Sequence, residues 1–233
     1  MQLSRNVTLL IHAFLDQWLP PFVRDSRLLM LPMFKLLFGE KAELFMDFKE
    51  KLHFMNHINI QKIYKQVASC SIRRETDLNS KCLQAIQKAV VGRNVLDIAC
   101  GQGFLARRLS RDHHVTAADI LLDSARFAGY PWISLAEVDI LRLPFADRAF
   151  DTVVCAHTLE HVLDVNKAVA ELRRVTAKRL IIVVPKQRPY SYTFDLHLHF
   201  FPYAWSLHLA LGKSGKRQTS QLVGGDWFYI EDY

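Results

Sequence analysis

The chain has 233 residues, half of them hydrophobic and 23% charged, with a formal net charge of +7. That balance excludes a disordered chain and supplies enough apolar surface for one domain of ordinary size plus an appendage. The cations are scattered, at Arg73-Arg74, Arg107-Arg108, Arg173-Arg174 and 213–217, so no long basic run argues for a nucleic-acid groove. Cys70, Cys82, Cys100 and Cys155 form no C-x-x-C pair and no zinc spacing, which reads as reduced, partly buried thiols of a cytoplasmic protein.

Residues 1–69 read as a helical N-terminal extension, rich in Leu, Phe and Met and broken by Pro20-Pro21 and Pro32. Short helices are expected over Val7–Leu15, Leu28–Phe38 and Lys41–Phe54. In the last, Leu44, Phe45, Phe48, Leu52 and Met55 recur at helical spacing. No uncharged apolar run reaches the roughly 20 residues that cross a bilayer. The extension therefore reads as a cap, a lid or a membrane-surface segment. It opens with no apolar core and small-residue cleavage site of a signal peptide.

Residues 70–233 form the second region. A helix is expected over Ile72–Val91, closed by Gly92. Strands follow at Asn94–Ile98, His114–Ala118, Trp132–Val138, Phe150–Ala156 and Arg179–Val184. Helices are expected over Gly103–Leu109, Leu121–Gly129 and Val162–Thr176. This alternation implies an α/β fold: a mostly parallel sheet with helices on both faces. The tail after Gly224-Gly225 alternates into a terminal strand, which reads as an antiparallel edge strand completing the sheet, with a hairpin as one way to reach it. In such sheets ligands bind outside the C-terminal ends of the strands.

The stretch Val95–Leu109 places Asp97 near the end of the first strand and Gly101 and Gly103 just after it. The glycines let the backbone turn sharply and approach a ligand without a Cβ clash, and the next helix offers its N-terminal N–H groups. Gly101, Gly103 and Ala106 fit the dinucleotide pattern only in part. A carboxylate before the loop would repel a pyrophosphate and suits a ligand with an ammonium group.

With Leu96-Asp97-Ile98-Ala99-Cys100-Gly101-Gln102-Gly103, the chain resembles the class I S-adenosylmethionine-dependent methyltransferases, in particular type 11. Ala99 stands where that family's motif has its first glycine. The resemblance runs through most of Val91–Pro185. It implies a Rossmann-like sheet and S-adenosylmethionine as cofactor. By resemblance, Asp97, Ala99, Cys100, Gly101 and Gly103 form the cofactor loop. Asp119 takes the ribose, with Ile120 beside it, and Asp139 and Ile140 bracket the adenine. Asp151 is structural, and His157 lies by the methionine part. The order Pro-Phe, Phe-Asp, strand, Leu-Glu-His in LPFADRAFDTVVCAHTLEHV carries the match further.

A sulfonium methyl is already electrophilic, so alignment supplies much of the catalysis. A base is needed where the acceptor must lose a proton. The candidate catalytic residues are His157, Asp195, His197 and His199; His161 reads as structure at a helix start. Tyr190 and Tyr192 join the last three as substrate-side candidates in PYSYTFDLHLHFFPYAW. On a strand His197 and His199 would share a face and could hold a metal with Asp195, but no metal is assigned. Arg73, Arg74 and Thr76 could meet the cofactor carboxylate or simply cap a helix. The acceptor is expected to be a small molecule or a lipid-linked compound, quinone-like among the options, in a cytoplasmic protein peripheral to the membrane through residues 1–60. The rival readings are a cofactor-binding module without turnover, a nicotinamide-dependent oxidoreductase and a nucleic-acid methyltransferase. The last lacks an Asn-Pro-Pro-Tyr-type motif, since the fourth strand ends Cys155-Ala156-His157-Thr158.

Overall fold

The computed structural model of the chain describes residues 18–67, 75–192 and 195–233. They fall into two compact units: 18–67 with 187–192 and 195–200, and 75–186 with 201–233.

The first unit carries helices α1 (Pro21–Arg24), α2 (Arg27–Phe38), α3 (Ala42–Asp47) and α4 (His57–Val67). The helix expected over Leu28–Phe38 forms. The one expected over Lys41–Phe54 breaks at Asp47 and resumes only as a 3-10 turn over Leu52–Phe54. Phe45, Met46 and Phe48 are all buried. At about 100° per residue they lie within an arc of about 160°, one broad face that packs into a single core. Asp47 also ties Arg27 at 2.6 Å and Lys51 at 2.9 Å. Side chains of this unit hold the 187–200 segment. Arg24 donates to Pro189 O at 3.1 Å, Lys49 to Tyr190 O at 2.5 Å and the Tyr64 hydroxyl to Leu196 O at 3.1 Å. The piece expected over Val7–Leu15 lies outside the described residues.

The second unit is a seven-stranded sheet in the order β3-β2-β1-β4-β5-β7-β6. Its strands are β1 (Asn94–Ile98), β2 (His114–Asp119), β3 (Ile133–Glu137), β4 (Phe150–Ala156), β5 (Thr176–Pro185), β6 (Arg217–Val223) and β7 (Asp226–Asp232). The first five are parallel; β7 runs antiparallel to β5 and β6 antiparallel to β7. The expected C-terminal antiparallel element is thus a hairpin, with β7 inside and β6 at the edge. Gly224 and Gly225 both have positive φ, +61° and +101°, as a two-residue hairpin turn requires.

The helices α5 (Ser80–Ala89), α6 (Phe104–Leu109), α7 (Val165–Val175) and α8 (Ala204–Leu211) cover the sheet. Leu96 and Ile98 of β1 pack with α7 and α8 on one face. Val95 packs with α5 and α6 on the other. Side chains alternate along a strand, so Asp97 shares the Val95 face.

Several expected boundaries are corrected. The helix over Ile72–Val91 is only α5 within the described residues; it starts after Asn79, whose side chain accepts from the Cys82 N–H at 2.9 Å. The helix over Leu121–Gly129 shrinks to a 3-10 turn at Ser124–Phe127. There Asp119 and Asp123 take the N–H groups of Leu121 and Ala125, at 3.0 and 3.2 Å, and close local turns instead. The helix over Val162–Thr176 begins only at Val165, where Asp164 accepts from the Lys167 N–H at 2.9 Å.

Candidate active site

At the end of β1 the backbone turns left-handed three times, at Ala99 (φ +57°), Gly101 (φ +53°) and Gly103 (φ +74°). A Cβ on Gly103 would collide with the Phe127 ring, so this glycine is required by packing as well as by φ. A Cβ on Gly101 would meet nothing within 4 Å, which leaves open space beside that backbone. Ala99 adopts a conformation that costs an L-residue about 1–2 kcal/mol, which gives a physical reason for glycine at that position of the motif.

The loop is braced from both sides. Cys100 N–H donates to Ala118 O at 3.1 Å, and Gly103 N–H to Cys100 O at 2.8 Å. Gly101 N–H donates to Asp119 Oδ2 at 2.8 Å, while Asp119 Oδ1 takes the Leu121 N–H. Burial raises the Asp119 carboxyl above its ordinary range, and these backbone bonds work against that rise. Each carboxylate oxygen has two acceptor sites, so these bonds leave Asp119 capacity for a ligand's hydroxyls. Gln102 is gripped by Arg107, which donates to its carbonyl at 2.6 Å, and by Arg126, which donates to its Oε1 at 3.0 Å.

Asp97 is 2% exposed, and its Oδ2 is buried without a hydrogen-bond partner. Burial pushes its carboxyl up to about 7, against the N–H of Ala106 in α6, which stabilises the charged form. A buried carboxylate with an unsatisfied oxygen is energetically poor in the absence of a donor. A cationic donor would satisfy it.

Asp139 follows β3 and caps its own turn, accepting from Leu141 N–H at 2.8 Å; Arg142 N–H closes the turn on Asp139 O at 2.9 Å. Ile140 and Ile120 are half-buried, and Ile140 packs against the core. Asp97, Ala99, Cys100, Gly101, Gly103, Asp119, Ile120, Asp139, Ile140 and His157 therefore gather at the C-terminal end of the parallel strands of one unit. Asp151 sits at the opposite end of the sheet, where its Oδ2 accepts from Arg93 and Asn94 N–H at 2.8 and 3.1 Å. With Lys178 beside it, the group is held down to about 2.

His157 follows β4 with φ +50°. Its Nδ1 lies 3.5 Å from Glu160 Oε1 and its Nε2 3.4 Å from Asp226 Oδ2. Burial alone would lower its pKa, but Asp226 and Glu160 override it and raise the ring to about 10. Asn79 donates to the same Asp226 oxygen at 2.7 Å, so the N-cap of α5 is part of this network. In the sequence Glu160 stands out only as part of the Leu-Glu-His run, and nothing local points to Asp226. They are 66 positions apart, and only the β5–β7 pairing brings Asp226 back to the end of β4.

Tyr190, Tyr192, Asp195, His197 and His199 belong to the other unit. The strand on which His197 and His199 would share a face is absent; the described residues of 186–203 have no regular structure. His197 Nδ1 lies 2.6 Å from Gln187 Oε1, and Gln187 Nε2 donates to the Tyr190 hydroxyl at 2.8 Å. Because the Gln187 amide nitrogen donates, its oxygen accepts, and His197 carries a proton on Nδ1. Arg73 and Arg74 lie outside the described residues, and Thr76 Oγ1 caps Leu78 N–H at 3.1 Å. Cys82, Cys100 and Cys155 are free thiols, and burial pushes those of Cys100 and Cys155 up, away from reactive thiolates.

The family model Methyltransf_11, a methyltransferase domain, matches residues 96–184. A 2-phytyl-1,4-naphtoquinone methyltransferase of Trichormus variabilis is 38% identical over 96 residues, 36% of this chain and 42% of that protein. A demethylmenaquinone methyltransferase of Thermobifida fusca is 34% identical over 122 residues, 48% of this chain and 51% of that one. The chain thus spans about half, or less, of these relatives' lengths. Among solved structures, the N-methyltransferase NodS of Bradyrhizobium japonicum WM9 is 18% identical with TM-score 0.55, over 74% of this chain and 97% of that one. A methyltransferase from Aquifex aeolicus is 19% identical with TM-score 0.53, over 76% and 98%. These two share the fold. The strand order, the left-handed loop after β1 and the matched segment agree: over residues 96–184 the chain carries a methyltransferase domain of the Methyltransf_11 kind.

Proposed function

We propose that the protein binds S-adenosylmethionine at the strand ends and transfers its methyl group to a small, apolar, quinone-like acceptor. The observation that carries this is the buried Asp97 with its unpartnered Oδ2 beside the open backbone of Gly101. An ammonium group fits that oxygen, and a pyrophosphate does not. Asp119 would accept from ribose hydroxyls. Asp139 and Ile140 would hold the adenine, one by its carboxylate and the other by packing. When bound, the cofactor supplies an electrophilic methyl on a sulfonium centre.

Asp226 and Glu160 on either side of the His157 ring favour its protonated form. His157 therefore fixes the end of β4 between two carboxylates rather than removing a proton from an acceptor. A hydroquinone gives up one proton for the methyl it gains, whether at a hydroxyl oxygen or at a ring carbon. Asp195, His197 and His199 remain the candidates for that step. The names of the two quinone-methylating relatives support the acceptor class. The apolar face of α2, with Leu28, Leu29 and Leu36 exposed, supports access to a lipid-borne acceptor from a membrane surface. No helix among the described residues is long and apolar enough to cross a membrane; this reading takes the contact as peripheral.

Calorimetric titration with S-adenosylmethionine and its demethylated product tests the cofactor, with nicotinamide cofactors as controls. Binding of the first pair alone is expected. Asp97→Ala should weaken it more than about thirtyfold, the effect of removing one partner of a buried charge pair. Unchanged affinity would remove the assignment of the loop. Methyl transfer to a reduced short-chain naphthoquinone, set against soluble catechols, then tests the acceptor class.

A further inference from the structure

Helix α8 (Ala204–Leu211) is apolar on both sides, and only one side meets the core. Leu207 and Leu211 are buried against the sheet. On the opposite face Trp205 is 61% exposed and Leu209, one turn on, is 73% exposed. Tyr203, 55% exposed, stacks on Trp205 with ring centroids 5.6 Å apart and planes 11° from parallel. Ser206 Oγ fixes the start of the helix by donating to Tyr203 O at 2.7 Å. The aromatic pair is thus held in the open on ordered backbone.

The turn after this helix carries Lys213 and Lys216, and Arg217 opens β6; all three are exposed. From Phe201 to Gly225 the sequence contains no aspartate or glutamate. The carboxylates across the hairpin are already engaged. Glu231 is held by Arg173 at 2.9 Å and Asp232 by Arg179 at 2.6 Å. Three cations therefore flank an aromatic-aliphatic face without local neutralisation.

We propose that this face of the methyltransferase domain docks on a bilayer carrying anionic headgroups. Trp205, Tyr203 and Leu209 enter the interface, and Lys213, Lys216 and Arg217 lie at phosphate level. Aromatic rings with one polar edge favour that depth, and basic side chains reach back to the headgroups from it. The charge pattern disfavours a second copy of the chain on this face, because a two-fold contact would oppose like charges. Leu209 and only three cations fit a nucleic-acid backbone poorly. The surface lies outside residues 1–60 and stands independently of the acceptor.

Co-sedimentation of the full chain with phosphatidylcholine vesicles, with and without phosphatidylglycerol, tests it. Binding only to the anionic vesicles is expected. Both Lys213→Gln/Lys216→Gln/Arg217→Gln and Trp205→Ser/Leu209→Ser should weaken it by about tenfold or more. Circular dichroism and the thermal midpoint check that the variants fold. Brominated acyl chains should quench the fluorescence of the wild type more than that of Trp205→Phe. Vesicle binding that neither variant changes would overturn the proposal while leaving contact through α2 standing. Absence of vesicle binding overturns it as well. So would a face that proves to serve an oligonucleotide or a dimer, with the same variants abolishing those contacts and no lipid bound.

Discussion

Two buried carboxylates in one sheet are solved in opposite ways. Glu231 on β7 is fully buried and receives Arg173 along with the hydroxyls of Tyr229 at 2.7 Å and Tyr233 at 2.8 Å. Burial would raise its pKa, but Arg173 and the tyrosines hold it below the ordinary value. Asp97 on β1 is almost as buried, has one unpartnered oxygen and is pushed up to about 7. The first group belongs to the stability of the hairpin half of the sheet. The second is an incomplete site at the end where parallel strands bind ligands. Burial alone does not distinguish them; satisfaction does.

The comparison breaks most sharply at Arg173. Arg173→Ala would leave Glu231 charged and buried, and should destabilise the protein by about 3–5 kcal/mol in urea unfolding. A loss below about 1 kcal/mol would show that the two tyrosines suffice. Gly103→Ala should follow at about 3 kcal/mol, combining a left-handed alanine with a collision against Phe127. Its partner variant Gly101→Ala has the same φ penalty and open space, so the difference between the two isolates the Phe127 contact.

Asp97 gives a pH signature. Its carboxyl is about 7 in the folded protein against an ordinary value of 3.8, so the native state keeps a proton that the unfolded chain has lost. Stability without ligand should therefore fall as pH rises from about 4 to about 7 and level off above that. Asp97→Asn should remove this part of the slope, read as urea midpoints across the range. S-adenosylmethionine affinity should rise over the same window, because the charged form binds the ammonium group. The smallest expected effect is at Ala99. Ala99→Gly relieves the left-handed strain but frees the unfolded chain, for a net gain of about 0.5 kcal/mol and a small upward shift in thermal midpoint.

Most of the site's cofactor side was readable because it is local. Asp97, Gly101 and Gly103 stand within seven positions on a strand and its turn, and Asp119 and Asp139 each follow a strand's apolar run. The parallel strands were readable for the same reason: buried strands such as Leu180–Val184 are continuous apolar runs. The network around His157 was only half readable: Glu160 stands three positions on, but Asp226 reaches it from β7, which only the sheet order brings there. The histidines of the 187–200 segment misled a period-two reading. His197 is fixed by Gln187 across an irregular backbone, with Leu196, just before it, at φ +53°. The segments 41–54 and 121–129 have helical composition, but the first ends at Asp47, whose carboxylate ties Arg27 and Lys51, and in the second aspartate caps close local turns.

The place of β7 also orders events during folding. The β6–β7 hairpin closes through two glycines and can form locally in about 1–10 μs. Its pairing with β5 joins Arg179 to Asp232 and Pro185 to Asp226, contacts more than forty positions apart. Such distant pairing is the slow part of a topology. Asp226 and Glu231 arrive with β7, so Arg173 gains this counter-ion, and His157 its second carboxylate, only when the hairpin docks. Before that moment β5 is an uncovered apolar edge in the middle of the future sheet, and it is the segment at which a folding chain would associate with another.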